Sequence, residues 1–229
     1  MTHSSSIVIF GNGEIAELAK YYFETDSCYR IKAFVVDDEF SQNTHFCGLP
    51  IISLSDFLSD ESLNSLPVHV ALSFSKLNLV RKNAYLQLKS KGITFVSYVS
   101  TKAFVADTAQ LGCNSFVLEG NCIQSFVQLG ENVMLWSGNH VGHRTKIASH
   151  TYVSSHVCIS GFCKIGESNF LGVNSSIKDF TTTGNDCIVG MGVALTTDLA
   201  SGSSIILEQN TRLVTDPRIT HRLARNLTS

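Results

Sequence analysis

Four histidines lie within a short stretch of the chain, and a histidine side chain can take up or release a proton near neutral pH. They are His140, His143, His150 and His156. A base of this kind is needed when an amine or a hydroxyl group attacks the carbonyl carbon of a thioester. The sequence has no motif that is typical of a covalent nucleophile, so we consider direct group transfer with a histidine as the base.

A second set of residues has the composition of a phosphate-binding turn. Gly11 and Gly13 follow the apolar run Ser6–Phe10 and precede a helical stretch that begins at Glu14. Backbone N–H groups at such a strand-to-helix turn can bind phosphate. The third glycine of the dinucleotide motif is absent, because Ala16 occupies its place. A turn without a ligand and a dinucleotide-dependent oxidoreductase therefore stay open as alternatives.

Strands and helices alternate in the first 98 residues. The second strand, Arg30–Val36, ends at Asp37 and Asp38, whose carboxylates can accept hydrogen bonds from the hydroxyl groups or the base of a nucleotide. The later elements are a short strand near Leu49–Ile51, a helix after Ser55, a strand over Val68–Phe74, a helix over Lys76–Ser90 and a strand over Thr94–Val99. This alternation predicts an α/β Rossmann-like domain with a doubly wound parallel sheet over residues 1–98.

The remainder of the chain contains a six-residue repeat, which is neither a helix period nor an ordinary strand period. An aliphatic residue recurs at every sixth position, the series lapses at Thr183, and the residue after the aliphatic one is often small. The members are Val105, Leu111, Val117, Ile123, Leu129, Leu135, Val141, Ile147, Val153, Ile159, Ile165, Leu171 and Ile177, and then Val189 and Leu195.

The repeat predicts an all-β triangular coil in which three short strands make one turn. The aliphatic residues are expected to stack inside, and the small residues to lie where the backbone turns between faces and a side chain would clash. We expect about five turns, in a parallel β-helix domain over residues 99–205 that is followed by a tail over residues 206–229. His150 and His156 occupy the same position of the repeat, so we expect a structural or solvent-facing role for both.

The composition is that of a globular protein, with 44% hydrophobic and 16% charged residues. The net charge of -2 gives no electrostatic reason to expect nucleic acid or an anionic membrane as a partner. We find no run of about 18 apolar residues and no signal-peptide pattern, so we expect a cytoplasmic protein. The seven cysteines include no C-x-x-C motif, which argues against a disulfide framework or a zinc ribbon.

The two halves together resemble the hexapeptide-repeat sugar acyltransferases that acetylate UDP-4-amino-sugars on the way to bacillosamine, and the related sialic-acid O-acetyltransferases. The resemblance covers nearly the whole chain. It rests on IVIFGNGEIAE and FVVDD in the front half, and on SGNHVGHRTKIASH, SSHVCISGFCKIG, FLGVNSSI and IVGMGVAL in the repeat. It implies a left-handed β-helix, a homotrimer, acetyl-CoA in the groove between neighbouring subunits, and a nucleotide-linked sugar held by the front domain.

The resemblance also implies roles for individual residues, with no metal among the ligands. The base falls on His143. His140 follows Asn139 in the segment that leads to His143, so we consider a role in substrate support for both, with a structural or solvent-facing role for His140 as the alternative. Contacts to the nucleotide-sugar fall on Gly11, Gly13, Glu14, Ile15, Asp37, Asp38 and Ser73. Contacts to acetyl-CoA fall on Tyr152, Gly161, Val173 and Met191, largely through the backbone.

Three positions depart from the pattern of that family. Ile15 and Tyr152 stand where the family has histidines, and Arg144 stands where a glutamate often follows the base. These departures leave the acceptor and the acyl group open, so sugar O-acylation and transfer of a larger acyl group are alternatives. Clustered histidines on a β-helix also suggest a carbonic-anhydrase-like zinc site, although the paired spacing expected for that site is missing.

Overall fold

The computed structural model describes residues 5–208, in which a sheet with flanking helices precedes a long coil of two-residue strands. We call residues 5–97 the front domain and residues 98–206 the coil. No helix within residues 5–208 is long and apolar enough to cross a membrane. The predicted tail falls outside the described residues from position 209 onward. The front domain contains β1 (Ser5–Phe10), α1 (Glu14–Asp26), β2 (Tyr29–Val36), β3 (His45–Phe46), β4 (Leu49–Ser53), α2 (Leu54–Ser59), α3 (Glu61–Asn64), β5 (Val68–Val70) and α4 (Leu79–Ser90).

The front sheet has the strand order β3-β4-β2-β1-β5, and every pair except β3 with β4 is parallel. Alternate residues of β1 face opposite sides of the sheet. Ile7 and Ile9 share a hydrophobic cluster with α1, whereas Val8 and Phe10 share one with α2 and α4. Helices on both faces are typical of a parallel sheet that is buried on both sides. The carboxyl ends of β1, β2 and β5 therefore lie at one edge.

Two predicted boundaries after this sheet are wrong. The strand predicted over Val68–Phe74 ends at Val70, and the helix predicted from Lys76 begins only at Leu79. Residues 76–78 have left-handed backbone, with φ of 52°, 52° and 65°. A right-handed helix cannot include such residues, so α4 begins directly after them.

The coil begins earlier than the repeat predicted. Tyr98 and Val99, predicted as the end of a sheet strand, pair instead with Phe116 and Val117 of the coil. The two-residue strands form three parallel sheets, which we call face 1, face 2 and face 3. Face 1 comprises β6 (Tyr98–Val99), β9 (Phe116–Val117), β12 (Met134–Leu135), β15 (Tyr152–Val153), β18 (Phe170–Leu171), β20 (Ile188–Val189) and β22 (Ser204–Ile205). Face 2 comprises β7 (Phe104–Val105), β10 (Cys122–Ile123), β13 (His140–Val141), β16 (Cys158–Ile159), β19 (Ser176–Ile177) and β21 (Ala194–Leu195). Face 3 comprises β8 (Gln110–Leu111), β11 (Gln128–Leu129), β14 (Lys146–Ile147) and β17 (Lys164–Ile165).

The predicted parallel β-helix and its inward aliphatic residues are confirmed. Each strand pairs with the strand one turn later, as Cys122 does with His140, and the second residues of the strands form one buried cluster along the axis. Where the repeat lapses, Thr183 is also buried. Its hydroxyl oxygen accepts a hydrogen bond from the Asn169 amide at 2.6 Å, so the polar side chain has a partner inside the coil.

The predicted clash at the small residues of the repeat is confirmed. Gly112, which follows the inward Leu111, does not have the left-handed backbone of a corner. It is small because the next turn lies against it, and an added Cβ would come within 2.4 Å of the carbonyl oxygen of Gly130. The left-handed residue of this corner is Asn114, two positions further along the chain.

The front domain covers face 1. Phe116, Met134 and Tyr152 point outward from this face and share a hydrophobic cluster with residues of α1 and β1. At one margin of the face, the hydroxyl of Tyr22 in α1 donates to the Glu119 carboxylate at 2.7 Å. At the other margin, Arg81 of α4 donates to backbone carbonyls of the coil.

Faces 2 and 3 differ in charge. The outward residues of face 2 include no lysine, arginine, aspartate or glutamate; they are Phe104, Cys122, His140, Cys158, Ser176 and Ala194. Two lysines point outward from face 3, where the outward residues are Gln110, Gln128, Lys146 and Lys164. A strand face without charge is more easily buried against another protein surface than a charged one.

Candidate active site

A cavity of about 450 Å³ lies where the carboxyl edge of the front sheet meets the coil. It combines four of the predicted nucleotide-sugar residues with one predicted cofactor residue, Tyr152. We call it the edge cavity. It is lined by Gly13, Glu14, Ile15, Ala71, Leu72, Ser73, Phe74, Trp136 and Tyr152.

The two glycines of the turn have different roles. Gly11 has a φ of 124°, and a Cβ there would lie 2.8 Å from the carbonyl oxygen of Ala71, so the fold itself requires glycine. Gly11 is not among the residues that line the edge cavity. Gly13 lines the cavity and has a φ of -106°. A Cβ added there would have no neighbouring group within 4 Å. Its missing side chain therefore leaves space for a ligand.

Aromatic side chains form one wall of the edge cavity. The ring of Phe74 lies 5.0 Å from that of Tyr152 in an edge-to-face arrangement, and Tyr152 stacks on Phe170 at 5.6 Å. Burial raises the pKa of the Tyr152 hydroxyl to about 12. The indole Nε1 of Trp136 is buried and has no acceptor within residues 5–208. A bound molecule with a planar ring and a hydrogen-bond acceptor would match this wall.

Sequence reasoning missed Phe74 and Trp136. Phe74 lay inside a predicted strand, whereas it is 46% exposed in the loop after β5. A signal for Trp136 was present in the sequence. It follows the inward Leu135, at a position where the repeat favours small residues, and it is the only tryptophan of the chain.

Asp37 and Asp38 lie outside the edge cavity, in a second cavity of about 430 Å³ beside Ser55 and Gln87. The Asp38 carboxylate accepts hydrogen bonds from the backbone N–H of Ser55 at 2.9 Å and from its hydroxyl, near the start of α2. These bonds lower the pKa of Asp38. Burial, together with the neighbouring carboxylates of Glu39 and Asp38, raises the pKa of Asp37. Asp38 thus has a structural partner, and Asp37 is the freer of the two.

His143 lies in the corner between face 2 and face 3, which we call edge 2/3, and its side chain is exposed. Gln124, one turn earlier, holds it in place. The amide oxygen Oε1 of Gln124 accepts from the His143 backbone N–H at 2.9 Å and lies 3.3 Å from ring atom Nδ1. Because this oxygen can only accept, Nδ1 is the protonated nitrogen of the neutral ring, and Nε2 is left as the basic one. Sequence reasoning did not find Gln124, which is distant from His143 in the chain.

The next turn of the coil supports the other side of the His143 ring. A Cβ on Gly161 would lie 2.8 Å from ring atom Cε1, so only glycine leaves the ring in this position. The ring of Phe162 lies 4.9 Å away, edge-to-face. The backbone N–H of Gly161 has no acceptor within residues 5–208. A basic nitrogen and a free N–H donor are therefore adjacent on edge 2/3.

Two residues predicted to support substrate binding differ in role. His140 points outward from face 2 and is half-buried between Cys122 and Cys158. Asn139 is 1% exposed, donates to the carbonyl of Trp136 at 2.5 Å and accepts from the N–H of Val157 at 2.7 Å. Its amide is therefore occupied by the backbone of the coil, and we assign Asn139 a structural role.

The predicted acetyl-CoA residues do not lie in one place. Val173 and Met191 are exposed, one turn apart, in the corner between face 1 and face 2, which we call edge 1/2. Trp136, which lines the edge cavity, belongs to the same corner. Gly161 lies beside His143 on edge 2/3, the opposite margin of face 2. His143 and Trp136 are nevertheless in the same turn of the coil.

The remaining histidines of the repeat agree with a structural or solvent-facing role. His150 is 4% exposed, and its Nδ1 accepts from the Asn132 amide at 2.9 Å. Burial lowers its pKa to about 4, so it is neutral at physiological pH. His156 is exposed. Within the described part of the chain, no three His, Cys, Asp or Glu side chains are placed to hold a metal ion.

Comparison with known proteins shows which fold this is. No family model matches the chain, and no curated protein does. Solved structures of a perosamine N-acetyltransferase and of an acetyltransferase domain match it over 88% of its length. The predicted resemblance is therefore confirmed at the level of the fold.

Three of these structures illustrate the match. A mutant of perosamine N-acetyltransferase from Caulobacter crescentus, in complex with CoA and GDP-perosamine, is 22% identical with a TM-score of 0.77, over 88% of this chain and 92% of that one. The acetyltransferase domain of PglB from Neisseria gonorrhoeae, in complex with acetyl coenzyme A, is 21% identical with a TM-score of 0.76, over 88% and 95%. WeeI from Acinetobacter baumannii is 22% identical with a TM-score of 0.74, over 88% and 97%.

Proposed function

We propose that this protein transfers an acetyl group from acetyl-CoA to the amine of a nucleotide-linked amino-sugar. The observation that supports it best is the pairing of two features in one turn of the coil. His143, with Nε2 left basic by Gln124, lies in the same turn as Trp136 of the edge cavity. Proteins of the same fold have been solved with CoA and GDP-perosamine, and with acetyl coenzyme A.

The edge cavity is the proposed site for the nucleotide-sugar, and we take the front domain as Rossmann-like. The first turn of α1 has no side-chain cap, so its backbone N–H groups face the cavity region with the positive end of the helix dipole. Phe74, Trp136 and Tyr152 offer aromatic surface for a base or a sugar ring. Asp37 follows β2, on the other side of β1, where it can accept hydrogen bonds from the far end of the ligand.

Within a single subunit, the proposed base His143 is separated from the edge cavity, because the two lie on opposite margins of face 2. We propose that a homotrimer closes the gap, with face 2 turned toward the neighbouring subunits. The face is uncharged, and both margins have exposed apolar side chains, Val173 and Met191 on edge 1/2 and Phe162 and Phe180 on edge 2/3. Contact between two different margins is heterologous and closes into a ring, which suits a prism with three faces.

The groove between two subunits is also the proposed site of acetyl-CoA. The resemblance implies acetyl-CoA contacts for Gly161, Val173 and Met191, and in this trimer Gly161 of one subunit and Val173 and Met191 of the next would form the walls of the groove. Tyr152, predicted on the cofactor side, lies in the edge cavity, so we assign it to the nucleotide-sugar instead. We take the coil as left-handed, as in the family it resembles.

The proposed chemistry is a direct attack of the sugar amine on the thioester carbonyl. His143 Nε2 removes a proton from the attacking amine, and the backbone N–H of Gly161 donates to the oxygen that becomes negative in the tetrahedral intermediate. The carbon–sulfur bond then breaks, and the departing CoA thiolate takes the proton that His143 had accepted. Such an N–H donor contributes about 3 kcal/mol to catalysis. No group on the enzyme forms a bond to the acetyl carbon.

A complementation experiment tests whether the cavity and His143 of neighbouring subunits form one site. Gly13→Met fills the cavity without strain, because the backbone of Gly13 is ordinary and its Cβ would meet nothing. Each of Gly13→Met and His143→Asn alone should be nearly inactive. When the two variants are co-expressed and form mixed oligomers, about a quarter of the wild-type activity should return. One pair of neighbouring subunits in four combines an intact edge cavity with an intact His143. Mixed oligomers as inactive as either parent, or a monomeric active enzyme, would contradict the shared site.

A further inference from the structure

The corners of the coil differ in the side chains that they place in left-handed backbone. On two of the three edges these positions are filled by residues that tolerate that conformation, namely glycine, asparagine, aspartate, serine and histidine. On edge 2/3 they are Phe126, Arg144, Phe162 and Phe180, with φ between 58° and 64°. A bulky residue costs about 1–2 kcal/mol in this conformation. Strained residues of this kind cluster at functional sites, which favours a functional role for the side chains of edge 2/3.

Arg144 is the charged member of this row and directly follows His143. Its guanidinium lies over the Phe126 ring, 4.6 Å from the centroid, which holds the flat group in place. The side chain is exposed, and among the ion pairs within residues 5–208 none involves Arg144. Its five N–H donors are therefore available to an anion that approaches His143.

The edge cavity has no positive side chain of its own. The residues that line it include one carboxylate, Glu14, and no lysine or arginine. A nucleotide-linked sugar brings a diphosphate with two negative charges, for which the N-terminus of α1 offers only a partial positive charge. Lys76 follows in the loop after Phe74, but it does not line the cavity. No lysine or arginine of the same subunit therefore lines the cavity proposed for the substrate.

We infer that Arg144 of the neighbouring subunit binds the diphosphate of the nucleotide-sugar. This inference rests on the proposed function. A sugar is bonded directly to the diphosphate, so an amine that reaches His143 brings its diphosphate within reach of the next residue. CoA also has a diphosphate, but the whole pantetheine arm separates it from the thioester. A planar guanidinium that forms two parallel bonds to phosphate oxygens is suited to this group.

Binding measured by calorimetry, without turnover, tests this assignment. The probes are UDP and GDP, the matching monophosphates UMP and GMP, and CoA. Arg144→Ala should weaken binding of the diphosphate that the wild type prefers by about 10- to 100-fold, the usual range for a charge-assisted hydrogen bond. Monophosphate binding should fall less, and CoA binding should not change. Lys146→Ala, which removes an equally exposed charge from face 3, should bind all probes as the wild type does.

Other results would overturn the inference. If Arg144→Ala weakened CoA binding instead, the arginine would belong to the donor. If Lys76→Ala lost the diphosphate affinity and Arg144→Ala kept it, the cation would come from the front domain. Unchanged binding of every probe in Arg144→Ala would also overturn it. Because no probe here is turned over, a failure of the proposed acetyl transfer would be recognised separately.

Discussion

Replacement of His143 by asparagine is expected to lower kcat about 10²–10⁴-fold, the usual effect of removing a positioned general base. The side-chain amide of asparagine is similar in shape to the part of the imidazole ring that contacts Gln124, but it cannot accept a proton from the amine. Binding of the nucleotide-sugar and of acetyl-CoA should persist, because His143 lies outside the edge cavity and contributes no core contact. Turnover and calorimetry on the same preparation separate the two effects.

Two matched variants make this result specific. His140→Asn, on the same face of the coil, should retain most of the wild-type kcat. Gln124→Ala keeps the base but removes the oxygen that holds Nδ1, so kcat should fall by about tenfold with little change in KM. A His143→Asn variant with more than about a tenth of the wild-type kcat would be incompatible with a general base at this position. An equal loss in His140→Asn would move the base to that residue.

Replacement of Arg81 by methionine is expected to lower the free energy of unfolding by about 3 kcal/mol or more. Arg81 is 1% exposed and connects α4 to the coil without a carboxylate partner. Its guanidinium donates to the His150 carbonyl at 2.7 Å, to the Asn78 side chain at 2.9 Å and to the Asn132 carbonyl. Burial lowers its pKa to about 10, so it is still charged at neutral pH. Methionine fills the volume but leaves these buried acceptors unpaired.

Lys89→Met is the matched control for Arg81→Met, because Lys89 also joins α4 to the coil. Its ammonium lies 2.5 Å from the Glu131 carboxylate in an exposed pair, which is worth less than about 1 kcal/mol. Urea unfolding followed by circular dichroism measures both variants. A loss below about 1 kcal/mol in Arg81→Met would contradict the role of this network in holding the front domain on the coil.

The coil was predictable from the sequence because its core residues recur at a fixed, short spacing along the chain. Every turn places the same residue of each hexad inside, so the aliphatic series from Val105 to Ile177 shows the fold directly. The lapse at Thr183 did not interrupt it, since a side-chain hydrogen bond from Asn169 replaces the lost apolar contact. The clash that keeps the next position small was predictable too. Its partner, the backbone of the following turn, was not, because the pattern of one turn does not contain the distance to the next.

The site was predictable only where its residues are neighbours in the chain. Gly13, Glu14 and Ile15 adjoin one another and lie together in the edge cavity. Gln124 is one turn from His143, and Trp136 meets the front domain across the fold, so neither contact is visible in a local motif. Asn139 shows the opposite case. It is next to His140 in the chain, but its side chain turns inward to the backbone of the corner.

The central claim is acetyl transfer to a nucleotide-linked amine, and thiol release from acetyl-CoA measures it most directly. Purified protein is incubated with acetyl-CoA and a panel of UDP-, dTDP- and GDP-linked amino-sugars, each paired with the sugar that has a hydroxyl in place of the amine. The account predicts that one amino-sugar releases thiol in equal amount to an N-acetylated product identified by mass spectrometry. Its hydroxyl counterpart should release none. Thiol release with the hydroxyl sugar alone, or with no member of the panel, would contradict the account.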